Sequence, residues 1–181
     1  MVETHSLTLK SNGGKLRQLV TECHVSMAFE PRNTSYPPEL RSFNALWDTG
    51  ATGTVITAKI VKECGLKPIG MTQVHGVSGI HTSNTYLINI RLINSVGFAS
   101  VEVTEGDLGD ACDVLIGMDI ITMGDFSITN KDNNTVFSFR CPSIGLVDYV
   151  EDKKLEVPKI AYTPRKHTTR KKTGKTNYKK K

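Results

Sequence analysis

The chain has 181 residues, of which 38% are hydrophobic and 23% are charged. This composition is ordinary for a globular protein, and the length favours one domain rather than two domains with separate cores. No apolar stretch approaches the length needed to cross a bilayer. The sequence therefore predicts no transmembrane helix, and we expect no membrane partner.

The net charge of +5 is unevenly distributed along the chain. Residues 165–181 contain nine Lys or Arg and no acidic residue, so the rest of the chain has 14 basic and 18 acidic residues. This segment has few apolar residues, which predicts a tail that is disordered on its own. Its cations are able to make weak contacts with nucleic acid, but a solubilising tail is an equally good interpretation.

The chain divides into four predicted segments. Residues 1–15 are predicted to be a flexible N-terminal arm, and residues 16–141 form the predicted folded domain. Residues 142–164 mix prolines, acids and isolated apolar residues, which indicates a linker or a packed C-terminal extension. The basic tail, residues 165–181, follows.

Alternating apolar and polar residues predict short strands throughout the folded domain. Ala58–Cys64 is predicted to be a short helix that ends at Gly65, and Asp119 is a predicted N-cap of a helical turn. Many short strands with one or two short helices indicate an all-β barrel or sandwich. The predicted strands cover Leu19–Phe29, Phe43–Trp47, Val55–Ile56, Tyr86–Leu92, Ala99–Val103, an apolar run from Val114, Phe126–Asn130 and Thr135–Phe139.

The stretch ALWDTGATGTVIT, residues 45–57, contains the residue of greatest chemical interest, Asp48. The simplest interpretation is a turn between two strands, since Asp and Gly are common in turns. The flanks, however, are apolar and β-branched, so they predict a carboxylate held between buried strands. Partial burial disfavours the charged form, which makes Asp48 a candidate acid or base.

Three ordered segments resemble the retropepsin-like aspartic protease family over about residues 16–140. The run Asp48, Thr49, Gly50, Ala51 and then TVI is similar to the family's catalytic motif. The segment GVSG at 76–79 is placed like its glycine-rich flap. The apolar run that contains Leu115, Ile116 and Gly117, followed by a predicted short helix, resembles its second hallmark.

The resemblance implies a closed, mostly antiparallel all-β barrel with one or two short helices, in which Asp48 is the catalytic residue of an aspartic endopeptidase. It implies that Thr49, Gly50 and Ala51 support the active-site loop. Residues Gly76, Val77, Ser78 and Gly79 would form the flap that closes over a peptide or protein substrate. Leu115, Ile116 and Gly117 would pack under the loop as structural support.

Aspartic protease chemistry requires two carboxylates that share one proton. The motif occurs once in this chain, and 181 residues are too few for two such lobes. The sequence therefore predicts a homodimer, in which two copies of Asp48 meet on a two-fold axis. The alternative is a catalytically inactive retropepsin-like module for dimerisation or peptide binding, with a nucleic-acid-binding tail.

Two positions depart from the viral pattern. Thr52 and Met118 are neutral where the family often has an acidic residue and an arginine, so no charge is left without its partner. No carboxylate or cysteine accompanies His24, His75 or His81 at ligand spacing, and we expect neither a metal nor another cofactor. The N-terminus has no secretory signal, which predicts a cytoplasmic protein. The four separated cysteines favour reduced, mostly buried thiols.

Overall fold

The computed structural model describes residues 3–30, 32, 34–76 and 79–151. These residues form ten strands and two short α-helices. The strands are β1 (His5–Lys10), β2 (Val20–Met27), β3 (Arg41–Trp47), β4 (Val55–Ile56), β5 (Gly70–Gly76), β6 (Gly79–Leu92), β7 (Gly97–Glu105), β8 (Val114–Ile116), β9 (Asp125–Thr129) and β10 (Val136–Cys141). The helices are α1 (Ala58–Glu63) and α2 (Met118–Ile121), and a 3-10 turn covers Lys131–Asn133.

Six of the strands close into a barrel in the order β2-β3-β8-β4-β7-β6. Closure occurs because β2 pairs with β3 on one side and with β6 on the other. The strand β5 extends this sheet beyond β6 as the second arm of a hairpin. The predicted fold class, an all-β closed barrel with one or two short helices, is confirmed.

The barrel strands follow the alternation in the sequence. In β6, Tyr86, Ile88, Ile90 and Leu92 are all buried, and they form part of one hydrophobic core. Asn89 lies among them and is also buried, because the pairing of β6 with β7 shifts register between Ile88 and Ile90. Its amide donates to the carbonyl of Phe29 at 2.8 Å, which compensates for its burial.

The strands β1, β10 and β9 form a second, three-stranded antiparallel sheet. The flexible arm predicted for residues 1–15 is therefore wrong over His5–Lys10, which pair with β10 from Lys10↔Val136 to His5↔Cys141. Leu7 is 5% exposed, and this burial offsets the entropy that ordering the segment costs.

Trp47 connects this sheet to the barrel. Its ring packs against Phe137 and Phe139, with centroids 5.2 and 4.9 Å away, and against Phe126 at 6.0 Å. The indole Nε1–H donates to the hydroxyl of Thr21 at 2.9 Å, so its single polar group is satisfied although the side chain is buried. Trp47 is thus a residue of the hydrophobic core.

The contacts of the chain divide it into two compact units, Met1–Gly145 and Leu146–Lys181. Of the second unit, Leu146–Glu151 lie in the described part and contain no helix or strand. Most of the predicted linker, residues 142–164, and the whole basic tail, residues 165–181, lie outside the described residues. Within the part of the chain that the structure describes, no helix is long and apolar enough to span a membrane.

Candidate active site

Asp48 begins the loop that follows β3 at the end of a buried strand. Its backbone N–H donates to the carbonyl of Ile116 at 3.0 Å, and its Oδ1 accepts the backbone N–H of Gly50 at 2.8 Å. The N–H of Ala51 donates to the Asp48 carbonyl at 3.3 Å. These bonds hold a tight turn around a carboxylate that is partly buried, while Thr49 and Gly50 are exposed.

The strand β8 lies between the two strands that flank this loop. It pairs in parallel with β3, with Leu115 opposite Leu46, and antiparallel with β4, with Leu115 opposite Val55. Ile116 is fully buried, and its carbonyl accepts the Asp48 N–H. Leu115 and Ile116 therefore lie where they support both ends of the Asp48 loop.

Gly117 is required by the close approach of two backbone segments. A Cβ at this position would lie 2.5 Å from the carbonyl carbon and oxygen of Gly53, which is closer than atoms can pack. The N–H groups of Met118 and Asp119 donate to the carbonyls of Ala51 and Thr52, at 2.8 and 3.2 Å. These two hydrogen bonds connect the start of α2 to the far side of the Asp48 loop.

Asp119 has a different role from the one that the sequence indicates. The N-cap of α2 is Gly117, so the predicted N-cap at Asp119 is wrong. Its Oδ1 accepts the hydroxyl of Thr54 at 2.9 Å, and its Oδ2 accepts the Thr54 N–H at 3.0 Å. Thr54 is 1% exposed, so the carboxylate satisfies two donors that have little access to water.

A cavity of about 350 Å³ includes Asp48 among its lining residues. Its other walls come from the segment before β2, with Leu16 and Arg17, and from Ile128 of β9 and Asn130, the residue that follows this strand. Sequence reasoning did not identify Arg17, the cation in this lining. Only the folded chain brings it to the cavity that contains Asp48, because the two residues are separated by β2 and β3.

The predicted flap corresponds to the end of the β5–β6 hairpin. Gly76 is paired with Gly79, and the hairpin arms are paired back to Gly70↔Thr85. Gly79 has a φ of +114°, a backbone conformation that favours glycine at this turn. Val77 and Ser78, the other two predicted flap residues, lie outside the described residues.

A larger cavity of about 950 Å³ does not include Asp48. It lies between β6 of the hairpin, the start of α1 and the segment 105–113. Lys59 and Asp113 form an ion pair across it at 3.0 Å, and the bond to Asp113 raises the pKa of Lys59. Because the Asp48 carboxylate is elsewhere, the smaller cavity is the one that we assign to the candidate active site.

The ionisable groups around the core fit a structural role. Burial raises the pKa of the Cys23 thiol to about 12, and burial also raises the pKa of Cys112. The four cysteines are free thiols, of which Cys23 and Cys112 are buried. In the described ranges, no group of three His, Cys, Asp or Glu side chains is placed to hold a metal ion.

Comparisons with known proteins agree with the sequence motifs. Residues 40–123 match the model of a family described as gag-polyprotein putative aspartyl protease. This segment contains the Asp48 loop, the hairpin and β8, so the predicted resemblance to retropepsin-like aspartic proteases is confirmed. No curated protein matches the sequence.

Several solved structures are similar to the chain. A retropepsin-like aspartic protease from Rickettsia conorii has 12% identity and a TM-score of 0.46, and the match covers 78% of this chain and 98% of that one. The EIAV protease has 18% identity and a TM-score of 0.43, covering 58% and 86%. The retroviral protease-like domain of Ddi1 from Leishmania major has 17% identity and a TM-score of 0.38, covering 67% and 94%.

Proposed function

We propose that this chain is an aspartic endopeptidase that acts as a homodimer. Its residues 40–123 match a family described as gag-polyprotein putative aspartyl protease. The observation that carries this proposal is the Asp48 loop. Its carboxylate lines a cavity, and hydrogen bonds to β8, α2 and the loop itself hold its backbone. A rigid loop keeps a catalytic group in one geometry, which is what general acid–base catalysis requires.

The chemistry requires a second carboxylate, which the Asp48 of a second copy provides. One ionised carboxylate takes a proton from the attacking water, and the protonated carboxylate of the partner polarises the scissile carbonyl. The attack forms a tetrahedral intermediate, and a proton then passes to the leaving amine. The two carboxylates titrate as a coupled pair, so their pKa values belong to the pair.

The substrate in this proposal is an extended peptide segment. An extended peptide bonds through its backbone, and the β5–β6 hairpin offers strand backbone that is able to pair with it. Closure of the hairpin, whose last described pair is Gly76 and Gly79, would exclude bulk water from the carboxylates. Arg17, which lines the Asp48 cavity, would contact the substrate or the Asp48 loop of the second copy.

The decisive experiment compares the full-length protein with Asp48→Asn on a diverse peptide library between pH 4 and 7. We expect endoproteolytic cleavage by the wild type, inhibition by a pepstatin-type transition-state mimic, and a loss of at least a hundredfold in kcat/KM for Asp48→Asn. The matched control is Asp107→Asn, which replaces an exposed carboxylate in residues 105–113. Equal cleavage by wild type and Asp48→Asn would remove Asp48 from the mechanism.

The competing function is a module that binds peptides or dimerises without cleaving. The same experiment separates the two functions. Binding of peptides by the wild type, without cleavage at any pH in the series, would favour the binding module.

A further inference from the structure

The outer edge of β9 is one of the free sheet edges in the described part of this chain. The strand β9 pairs with β10 on one side, and no strand in the described part of the chain pairs with its other side. Such an edge presents free backbone N–H and C=O groups. The edge strand at the opposite side of the same sheet, β1, contains Lys10 and His5, whereas residues 126–129 of β9 contain no charge.

The one acid in β9 is already neutralised within the chain. The Asp125 carboxylate accepts hydrogen bonds from Arg140 Nε at 2.8 Å and from the Ser143 hydroxyl at 2.5 Å. The backbone N–H of Ile144 donates to it at 3.2 Å. Charges commonly protect an edge strand from pairing with another chain, and Asp125 is engaged in other contacts.

The same strand borders the candidate active site. Ile128 is 44% exposed and lines the cavity of about 350 Å³ that includes Asp48, together with Asn130. A strand that pairs with the free edge of β9 therefore lies beside this cavity. It is the position in which a second copy would bring its own residues towards Asp48.

We propose that β9 pairs antiparallel with β9 of a second copy of this chain and forms a continuous sheet across the two-fold axis. This inference rests on the proposed function, which needs a second Asp48. With Ser127 opposite Ser127, Phe126 lies opposite Ile128 and Asp125 lies opposite Thr129. That register pairs an aromatic with a β-branched residue and places no like charges together, and it is self-complementary as a two-fold interface must be.

The N-terminal strand β1 is the other outer strand of this sheet. Like β9, it pairs with β10 on one side only. None of its residues lines the Asp48 cavity, so β9 is the edge that borders this cavity.

The first test introduces a charge on the edge in the full-length protein. We expect the wild type to sediment as a dimer, and Ile128→Lys to raise the dimer dissociation constant at least tenfold. Ile93→Lys, in the β6–β7 turn where Ile93 is 52% exposed, is the matched control and should sediment as the wild type does. A wild-type dissociation constant for Ile128→Lys, or a monomeric wild type, would overturn the proposal.

The second test traps the interface covalently. Ser127 is exposed, and Ser127→Cys should form an intermolecular disulfide under mild oxidation because its symmetry mate lies opposite. Ser6→Cys, an exposed position on β1, should remain uncrosslinked under the same conditions. Equal crosslinking of both variants, or none for Ser127→Cys, would exclude the β9 pairing.

The outcomes also separate this interface from the enzymatic activity. Dimerisation through β9 without any peptide cleavage would retain the interface and remove the endopeptidase. Cleavage that depends on Asp48, in a dimer that Ile128→Lys does not weaken, would retain the endopeptidase and place its interface elsewhere.

Discussion

The hydroxyl of Thr54 and the carboxylate of Asp119 are hydrogen-bonded at 2.9 Å across 65 positions of sequence. The same carboxylate accepts the Thr54 N–H at 3.0 Å, and the Thr54 hydroxyl accepts the N–H of Gly117 at 3.3 Å. This small network joins the end of the Asp48 loop to the start of α2. Loss of the carboxylate would leave two buried donors of Thr54 without an acceptor.

Asp119→Ala should therefore destabilise the fold and also lower activity. We expect a decrease of about 2–4 kcal/mol in the free energy of unfolding, since each of the two unsatisfied buried donors costs about 1–3 kcal/mol. We also expect a lower kcat, because the loop is held less rigidly. Urea denaturation measures the stability and peptide cleavage measures the activity. The control is Glu102→Ala, which removes an exposed carboxylate on β7. A variant as stable as Glu102→Ala would contradict the assigned role.

Trp47 offers a test of the contact between the barrel and the second sheet. Trp47→Phe keeps an aromatic ring beside Phe137 and Phe139 but removes the hydrogen bond to Thr21. We expect it to cost about 1–2 kcal/mol of stability, whereas Trp47→Ala should cost about 3–5 kcal/mol because it leaves a cavity. Chemical denaturation followed by circular dichroism measures both. Equal losses in the two variants would show that the aromatic packing contributes little.

The Asp125 carboxylate predicts an acid-dependent part of the stability. Hydrogen bonds from Ser143 and Arg140 lower the pKa of Asp125 to about 2 from 3.8. The ionised form therefore stabilises the folded protein above about pH 4, and this contribution is lost as the pH falls through about 2. Asp125→Asn should have a lower Tm than the wild type at pH 6, and the difference should shrink towards pH 2. A difference that is constant with pH would contradict this linkage.

Much of the barrel was predictable because its signals are local. The alternation in Tyr86–Leu92 predicts a strand, and this segment lies in β6. The apolar residues before Asp48 also predict a strand, and they lie in β3. The strand β1 was not predicted, since its partner β10 lies about 130 residues away in sequence. The sequence of residues 1–15 alone contains too short an alternation to indicate it.

The candidate site follows the same distinction. Asp48 and the β8 segment were identified from local motifs, and the structure brings them into contact through the Asp48 N–H and the Ile116 carbonyl. Arg17 was missed because only folding brings it to the cavity of Asp48. Asp119 was predicted as an N-cap, which is a common local role, but the distant Thr54 provides two donors and competes successfully for its carboxylate.

Gly117 provides the sharpest test of how the Asp48 loop is supported. A methyl group at this position would meet the Gly53 backbone at 2.5 Å, so Gly117→Ala must displace either α2 or the loop that contains Asp48. We expect a loss of about 1–3 kcal/mol in unfolding free energy and at least a tenfold decrease in kcat/KM. Gly53→Ala is the matched control for stability, since a Cβ at Gly53 meets no atom within 4 Å. If Gly117→Ala were as stable as Gly53→Ala, the loop would have room to move, and the tight contact would not be what positions Asp48.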